Sequence, residues 1–195
     1  MKRRSLMTLG ASAIAAAYSP WSMAQAKFPQ RPVTLVVPTP PGGSTDFTAR
    51  LIAEPLTRAL GQSVIVDNKP GGSGNIGNQF VARAKPDGYT LLMAYSGYQV
   101  GNPHLFKDAG WDPLKDFVPV AMVTRAPQVV AIHHALPVNT LQELVAYAKK
   151  NPGKLNYASS GNGSIQHIAG ELFKQLTGTF ITHIPYRGSG PAVQD

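Results

Sequence analysis

The chain has no cysteine among its 195 residues. It therefore builds neither a disulfide framework nor a thiolate metal centre, and it carries no thiol nucleophile. Charge is also sparse, at 14% of residues, with ten acidic side chains against eighteen Lys and Arg. Neither a G-x-S-x-G elbow nor an H-E-x-x-H pair occurs, which removes two common enzyme signatures. His104 and the His133-His134 pair are not spaced with carboxylates as a metal site requires, so no metal and no cofactor are expected. Beyond residue 26, Lys149-Lys150 is the only adjacent basic pair, and no aromatic residues interleave with it. Nucleic-acid binding is therefore not expected.

Long apolar runs are missing as well. The stretch from Leu6 to Tyr18 is roughly a dozen residues, short of the ~20 that a membrane-spanning helix needs. It follows Lys2-Arg3-Arg4 and precedes Ala24-Gln25-Ala26, the order of a cleavable export signal. Cleavage is expected after Ala26, by the general secretory route or by the twin-arginine route that Lys2-Arg3-Arg4-Ser5-Leu6-Met7 suggests. The signal holds three basic residues and no acidic ones, so its loss lowers the formal charge from +8 to +5. That mild positive balance suits acidic small molecules.

What the chain does contain is an alternation of short β-branched runs with helical patterns. The runs are Val33 to Val37, Val64 to Val66, Thr90 to Met93, Val118 to Val123, Gln128 to Ile132, Leu155 to Ala158 and Ile181 to Ile184. Such alternation predicts an α/β fold with a mostly parallel sheet. The helices between them repeat apolar residues at helical spacing, as in Phe47, Leu51, Ile52, Leu56 and Leu60, and Gly61 and Gly178 fall where C-caps belong. The turn-rich stretch Lys107 to Val118 and the tetrapeptide Thr124-Arg125-Ala126-Pro127 mark a crossing between two lobes, residues 27–125 and 126–195.

One arrangement is used twice. A strand runs into a Gly/Ser-rich turn and then a helix, first at Val33 to Val37 followed by PTPPGGSTD, and again at Leu155 to Ala158 followed by SSGNGS. Each copy aims backbone N–H groups and a positive helix end at whatever lies above the turn, which suits a carboxylate. In the first copy Gly42 and Gly43 permit close approach, and Ser44 and Thr45 supply hydroxyl and amide donors. Ser159, Ser160, Gly161 and Ser164 repeat that chemistry in the second. Ser44 and Ser164 read equally as simple N-caps. Asp46 stands among the candidates by position, yet it would repel a carboxylate. A favourable charge in the first helical turn is its simpler role.

Several motifs stand in a telling order: Phe28-Pro29-Gln30-Arg31-Pro32-Val33-Thr34-Leu35-Val36-Val37-Pro38, Pro41-Gly42-Gly43-Ser44-Thr45-Asp46, Asp67-Asn68-Lys69-Pro70-Gly71-Gly72-Ser73-Gly74-Asn75-Ile76-Gly77, Pro86-Asp87-Gly88-Tyr89-Thr90-Leu91-Leu92 and His183-Ile184-Pro185-Tyr186-Arg187-Gly188. Together they resemble the Bug family, the periplasmic substrate-binding proteins of tripartite tricarboxylate transporters. The resemblance spans residues 27–195. It implies a periplasmic-binding-protein-like α/β fold, with two lobes around a ligand cleft and the second lobe incomplete, since the family runs on for roughly another hundred residues. It also implies capture of a small carboxylated solute (a tricarboxylate, a dicarboxylate, an amino acid or an aromatic acid), a membrane permease as partner, and a monomer. Gly188-Ser189-Gly190-Pro191 reads as a helix start and the chain stops about one turn in, at Asp195, which fits the front part of a longer protein.

Further candidates lie outside the two turns. Gly72-Ser73-Gly74-Asn75-Ile76-Gly77 matches G-x-G-x-x-G, but no acidic residue follows near Gln99 to take a ribose hydroxyl, so a dinucleotide site is not expected. Asn75 and Ser96 are instead candidates for the cleft rim. His167, near a helix start, and Tyr186, at a strand end, are candidate ligand contacts, and Arg187 is placed to pair with a carboxylate or to face solvent. The competing reading is an exported serine hydrolase using Ser160 or Ser164 with His167.

Overall fold

The computed structural model describes residues 27–195, so the export signal expected in residues 1–26 lies outside the described part. Its elements in chain order are β1 Val33–Val37, α1 Ser44–Leu60, β2 Val64–Asn68, α2 Asn75–Ala82, β3 Thr90–Leu92, α3 Ser96–Leu105, α4 Leu141–Lys150, β4 Asn156–Ser159, α5 Ile165–Thr177, β5 Thr182–Pro185 and α6 Ser189–Gln194. The first three strands form a parallel sheet in the order β2-β1-β3, with Leu35 opposite both Val66 and Leu91. β1 lies in the middle, and Val33, Leu35, Val36 and Val37 are all buried, as a central parallel strand covered on both faces demands. β4 and β5 form a second parallel pair, with Tyr157 opposite His183 and Ser159 opposite Pro185. Helices supply the crossovers, so the loops that follow β1 and β4 emerge at carboxyl ends of strands.

Ala49 and Ile52 of α1 pack on a core of Leu35, Val37 and Met93. Phe47 and Leu51, which apolar spacing had assigned to the same helix face, point outward and are exposed. Four residues apart, they form their own stripe beside the one that meets the sheet. Gly61 and Gly178 take left-handed conformations at the ends of α1 and α5, as the helix patterns predicted.

Two predicted strands do not form. Val118 to Val123 and Gln128 to Ile132 carry β-branched residues but run without ladder partners, and Val118, Val120, Met122, Val129 and Val130 are exposed. β propensity reports fit to a half-buried pleated surface, and among the described residues no strand lies beside either stretch to provide one. The turn-rich segment before them is anchored by Trp111, which is buried, donates its indole N–H to Asn75 Oδ1 at 2.8 Å and meets Phe117 edge to face. Among the described residues no helix is long and apolar enough to cross a membrane.

Candidate functional site

The loop from Pro38 to Gly43 leaves the buried end of β1 and enters α1, and its shape is set from below by Asp46. Asp46 is only 3% exposed. Its carboxylate accepts hydrogen bonds from Gly42 N at 2.8 Å, Asn68 Nδ2 at 2.9 Å and Arg50 Nε at 3.1 Å. Asn68 Nδ2 also donates to Thr39 O at 3.2 Å, and Arg50 donates to Asn68 Oδ1 at 2.9 Å. The triad thus grips the loop at Thr39 and at Gly42. Burial alone would raise the Asp46 pKa, but the donors from Arg50, Gly42 and Asn68 outweigh it and hold the carboxyl below its usual range. Asp46 is turned into the loop, where it positions Gly42 to Thr45 from the protein side.

The two strand-turn-helix segments, alike in sequence, end differently. α1 is capped by Gly43, which brings no side-chain acceptor to the first-turn amides. α5 is capped twice: Ser164 Oγ accepts from His167 N at 3.2 Å, and the Tyr95 hydroxyl accepts from Ile165 N at 3.0 Å. The N-cap role weighed for Ser164 is the one that it performs. Ser44 is instead the first helical residue of α1 and is exposed.

Both segments reach one cavity. It is lined by Thr39, Pro40, Gly43, Ser44 and Thr45 from the first segment, Ser160 from the second, Tyr95 and Tyr98 from the start of α3, and Gly188 and Ser189 at the start of α6. No charged side chain lines it. Thr39 Oγ1 is buried and has no protein partner, so one hydroxyl remains unengaged in the wall. The cavity volume is about 20 Å³, which is room for about one water. A larger groove of about 440 Å³ lies between α1 and the edge strand β2, but it is open and lined by Arg50, Ala53, Glu54, Thr57, Val64 and Val66. No loop ends or amide donors converge there.

Thus the structure gathers Gly43, Ser44, Thr45 and Ser160 at one place, with Gly42 beside them in the loop. Other candidates serve the surroundings. Ser159 is buried, with Oγ 2.6 Å from His183 Nε2 and accepting from Gly161 N at 3.1 Å, so it shapes the turn from beneath. Asn75 is buried and its Oδ1 accepts from Asn102 Nδ2 and Trp111 Nε1, both at 2.8 Å. Ser96 is exposed at the start of α3, and the Tyr186 hydroxyl donates to Asp195. His167 Nδ1 accepts from Gly163 N at 3.2 Å, while Ser160 donates to Gln166 Oε1 at 3.0 Å. The side chains of Ser160, Ser164 and His167 therefore engage separate partners, and this arrangement does not furnish the activated serine of the hydrolase alternative. Among the described residues no cluster of His, Asp and Glu suits a metal ion. Sequence reading missed Thr39, Tyr95, Tyr98, Gly188 and Ser189. Gly188-Ser189 had been noted only as a helix start, and Tyr95 reaches the site from 70 residues away.

Under the second turn lies a stack of rings. His183 sits 4.2 Å from His167 and 4.9 Å from Tyr157, both nearly parallel, and Tyr157 donates to Glu171, which also pairs with Lys174. Burial and then the neighbouring His167 hold the His183 pKa below its ordinary value. A histidine depressed on folding binds its proton more readily in the unfolded chain, so its contribution to stability is present above the unfolded pKa and is lost as pH falls through the folded one. The melting temperature is therefore expected to fall as pH drops from about 7 towards 5, before carboxylates titrate. His183→Gln should flatten that slope in a thermal-denaturation series. An equal slope would exclude His183 as its source.

A parallel α/β scaffold with strand-end loops meeting at a polar, uncharged cavity is of the periplasmic-binding-protein-like class, with its second lobe incomplete. The model of the tripartite tricarboxylate transporter family receptor matches residues 48–195, and the chain belongs to that family. It is 42% identical over 169 residues to the protein BugT of Bordetella pertussis, covering 86% of this chain and 52% of that one. A Rhodopseudomonas palustris protein solved with adipate superposes with a TM-score of 0.82 at 43% identity, covering 86% of this chain and 56% of its own. MatC from the same organism, solved with bound malate, gives a TM-score of 0.78 at 36% identity, covering 86% and 57%. The periplasmic binding protein BugD gives 0.73 at 36% identity. The family is one of receptors, and BugD is a periplasmic binding protein. The chain spans about half the length of the curated relatives that it matches.

Proposed function

We infer that this protein captures a small carboxylated solute in the cavity between the β1–α1 loop, Ser160 and Gly188–Ser189. The observation that carries the reading is a wall of neutral polar residues, with Thr39, Ser44, Thr45, Ser160 and Ser189 among them and no side-chain carboxylate. Such a wall binds an anion without a counter-charge, through many donors and a helix end. The unengaged Thr39 hydroxyl and the uncapped first turn of α1 support it. So do two relatives, one solved with adipate and one with malate.

Hinge motion between lobes of residues 27–125 and 126–195 would close the cavity on the solute. Export to the periplasm, monomeric action and delivery to a membrane permease complete the proposal. They rest on the signal-like residues 1–26 and on the family.

The test is thermal unfolding against straight-chain di- and tricarboxylates, with the corresponding esters alongside. A good ligand at a hundred times its dissociation constant adds about 2.7 kcal/mol, a rise of about 5–10 °C for a chain of this size. A flat response to every acid from a folded protein would overturn the reading. Ester turnover would restore the hydrolase.

A further inference from the structure

A run of hydrogen bonds with one fixed direction ends at Ser160. It starts at the Ile165 amide, a backbone donor that cannot reverse, which donates to the Tyr95 hydroxyl oxygen at 3.0 Å. Burial raises the Tyr95 pKa, so the phenol keeps its proton, and with its oxygen accepting on one side it donates on the other, to Gln166 Oε1 at 3.2 Å. Ser160 Oγ lies 3.0 Å from the same Oε1, a carbonyl oxygen with only lone pairs to offer, so the serine donates as well. The order is held by packed elements: Ile165 and Gln166 open α5, Tyr95 directly precedes α3, and Tyr98 braces the Tyr95 ring edge to face at 4.9 Å.

The consequence falls on the cavity, which Ser160 lines. The single Ser160 hydroxyl proton is held by Gln166, so a group in the cavity meets an oxygen that can only accept. The facing wall has the reverse polarity. Gly43 caps α1 without a side-chain acceptor, and the amides of Ser44 and Thr45, which have no partner within the helix, can only donate. One wall therefore suits a carboxylate and the other suits a hydroxyl or an N–H.

We propose that this cavity selects acids that carry a hydrogen-bond donor, a hydroxyl or an N–H, close to the carboxylate, and that Gln166 sets the preference by taking the Ser160 proton. The proposal rests on the carboxylate-binding reading given above and narrows its ligand. Both walls border one cavity, so the donor and the carboxylate belong to the same end of the solute. An acid with a carbonyl in place of the hydroxyl brings lone pairs against the lone pairs of Ser160 and is disfavoured. Gln166 is a positioning residue here, because it acts on the solute only through Ser160.

The experiment measures, by calorimetry, the binding of glutarate, α-hydroxyglutarate and α-oxoglutarate, with succinate and malate in parallel. In wild type the hydroxy acid of each set should bind about three- to tenfold more tightly than the unsubstituted acid, and α-oxoglutarate more weakly than α-hydroxyglutarate by at least about as much. Gln166→Leu frees the Ser160 proton to donate to a carbonyl, so the gap between the oxo and hydroxy acids should close to within about twofold. Ser160→Ala removes the accepting oxygen and should close it as well. Oxo and hydroxy acids that bind wild type equally would overturn the proposal and leave the carboxylate reading standing. A gap that survives in Gln166→Leu would remove Gln166 from its role, and one that survives in Ser160→Ala would remove Ser160. A folded wild type that binds none of the five acids would sink the carboxylate reading and this proposal with it.

Discussion

Asp46→Ala is expected to destabilise the protein by about 2–4 kcal/mol and to abolish the proposed solute capture, because it removes the acceptor around which the β1–α1 loop is built. The carboxylate is buried and receives Gly42 N, Asn68 Nδ2 and Arg50 Nε. Alanine leaves the Gly42 and Asn68 donors without their partner, whereas Arg50, more than half exposed, turns to water. The loss therefore arises from unsatisfied donors more than from a stranded charge. Asp46→Asn keeps one acceptor oxygen and should lose less. The pH dependence carries the matching sign. A carboxyl held below its unfolded pKa contributes stability above that value and loses it as pH falls through the folded one. Asp46→Ala should therefore flatten the acid limb of a stability curve below about pH 4. Equal melting temperatures for wild type and variant would remove Asp46 from its positioning role.

Gly74→Ala is the second large effect, with a loss of about 2–5 kcal/mol, or about 4–20 °C in melting temperature. Gly74 has φ +82°, and a Cβ there would overlap the Tyr98 ring. An alanine pays for the left-handed backbone at roughly 1–2 kcal/mol and adds an overpacking penalty of about 1–3 kcal/mol. Tyr98 is wedged between this turn and Tyr95, so it has little room to yield. If the Gly72-Ser73-Gly74-Asn75-Ile76-Gly77 match were a nucleotide cradle, Gly74→Ala would impair nucleotide binding and leave stability largely intact. Packing against Tyr98 predicts the reverse, and a thermal melt separates the two. Asn75, next in the chain, points the same way: its side chain is buried in hydrogen bonds to Asn102 and Trp111.

These two positions show how far the residues spoke for themselves. The first strand-turn-helix segment was legible because Gly42, Gly43 and the hydroxyl residues after them have few other reasons to follow an apolar strand, and the structure brings Gly43, Ser44 and Thr45 to the cavity. The second segment was legible as a turn, but its apparent equivalence to the first was not real. Ser164 and Tyr95 take up the first amides of α5, whereas α1 is capped by a glycine. Likewise Val118 to Val123 and Gln128 to Ile132 read as strands from composition, and they remain unpaired because pairing depends on a neighbour that composition cannot supply.

By itself the sequence determined the α/β alternation, the parallel core strand, the glycine caps and the order of motifs that ties the chain to its family, since each depends on spacing within one segment or on residue type at one turn. The tertiary structure alone decided which loops meet and what each polar group faces. Tyr95 lies 70 residues from Ile165 in the chain and 3.0 Å from its amide in the fold. Asp46 was a candidate for a ligand until Gly42, Asn68 and Arg50 enclosed it. Local pattern fixes conformation because backbone geometry is local, whereas the partner of a hydroxyl or a carboxylate is set by which elements pack together.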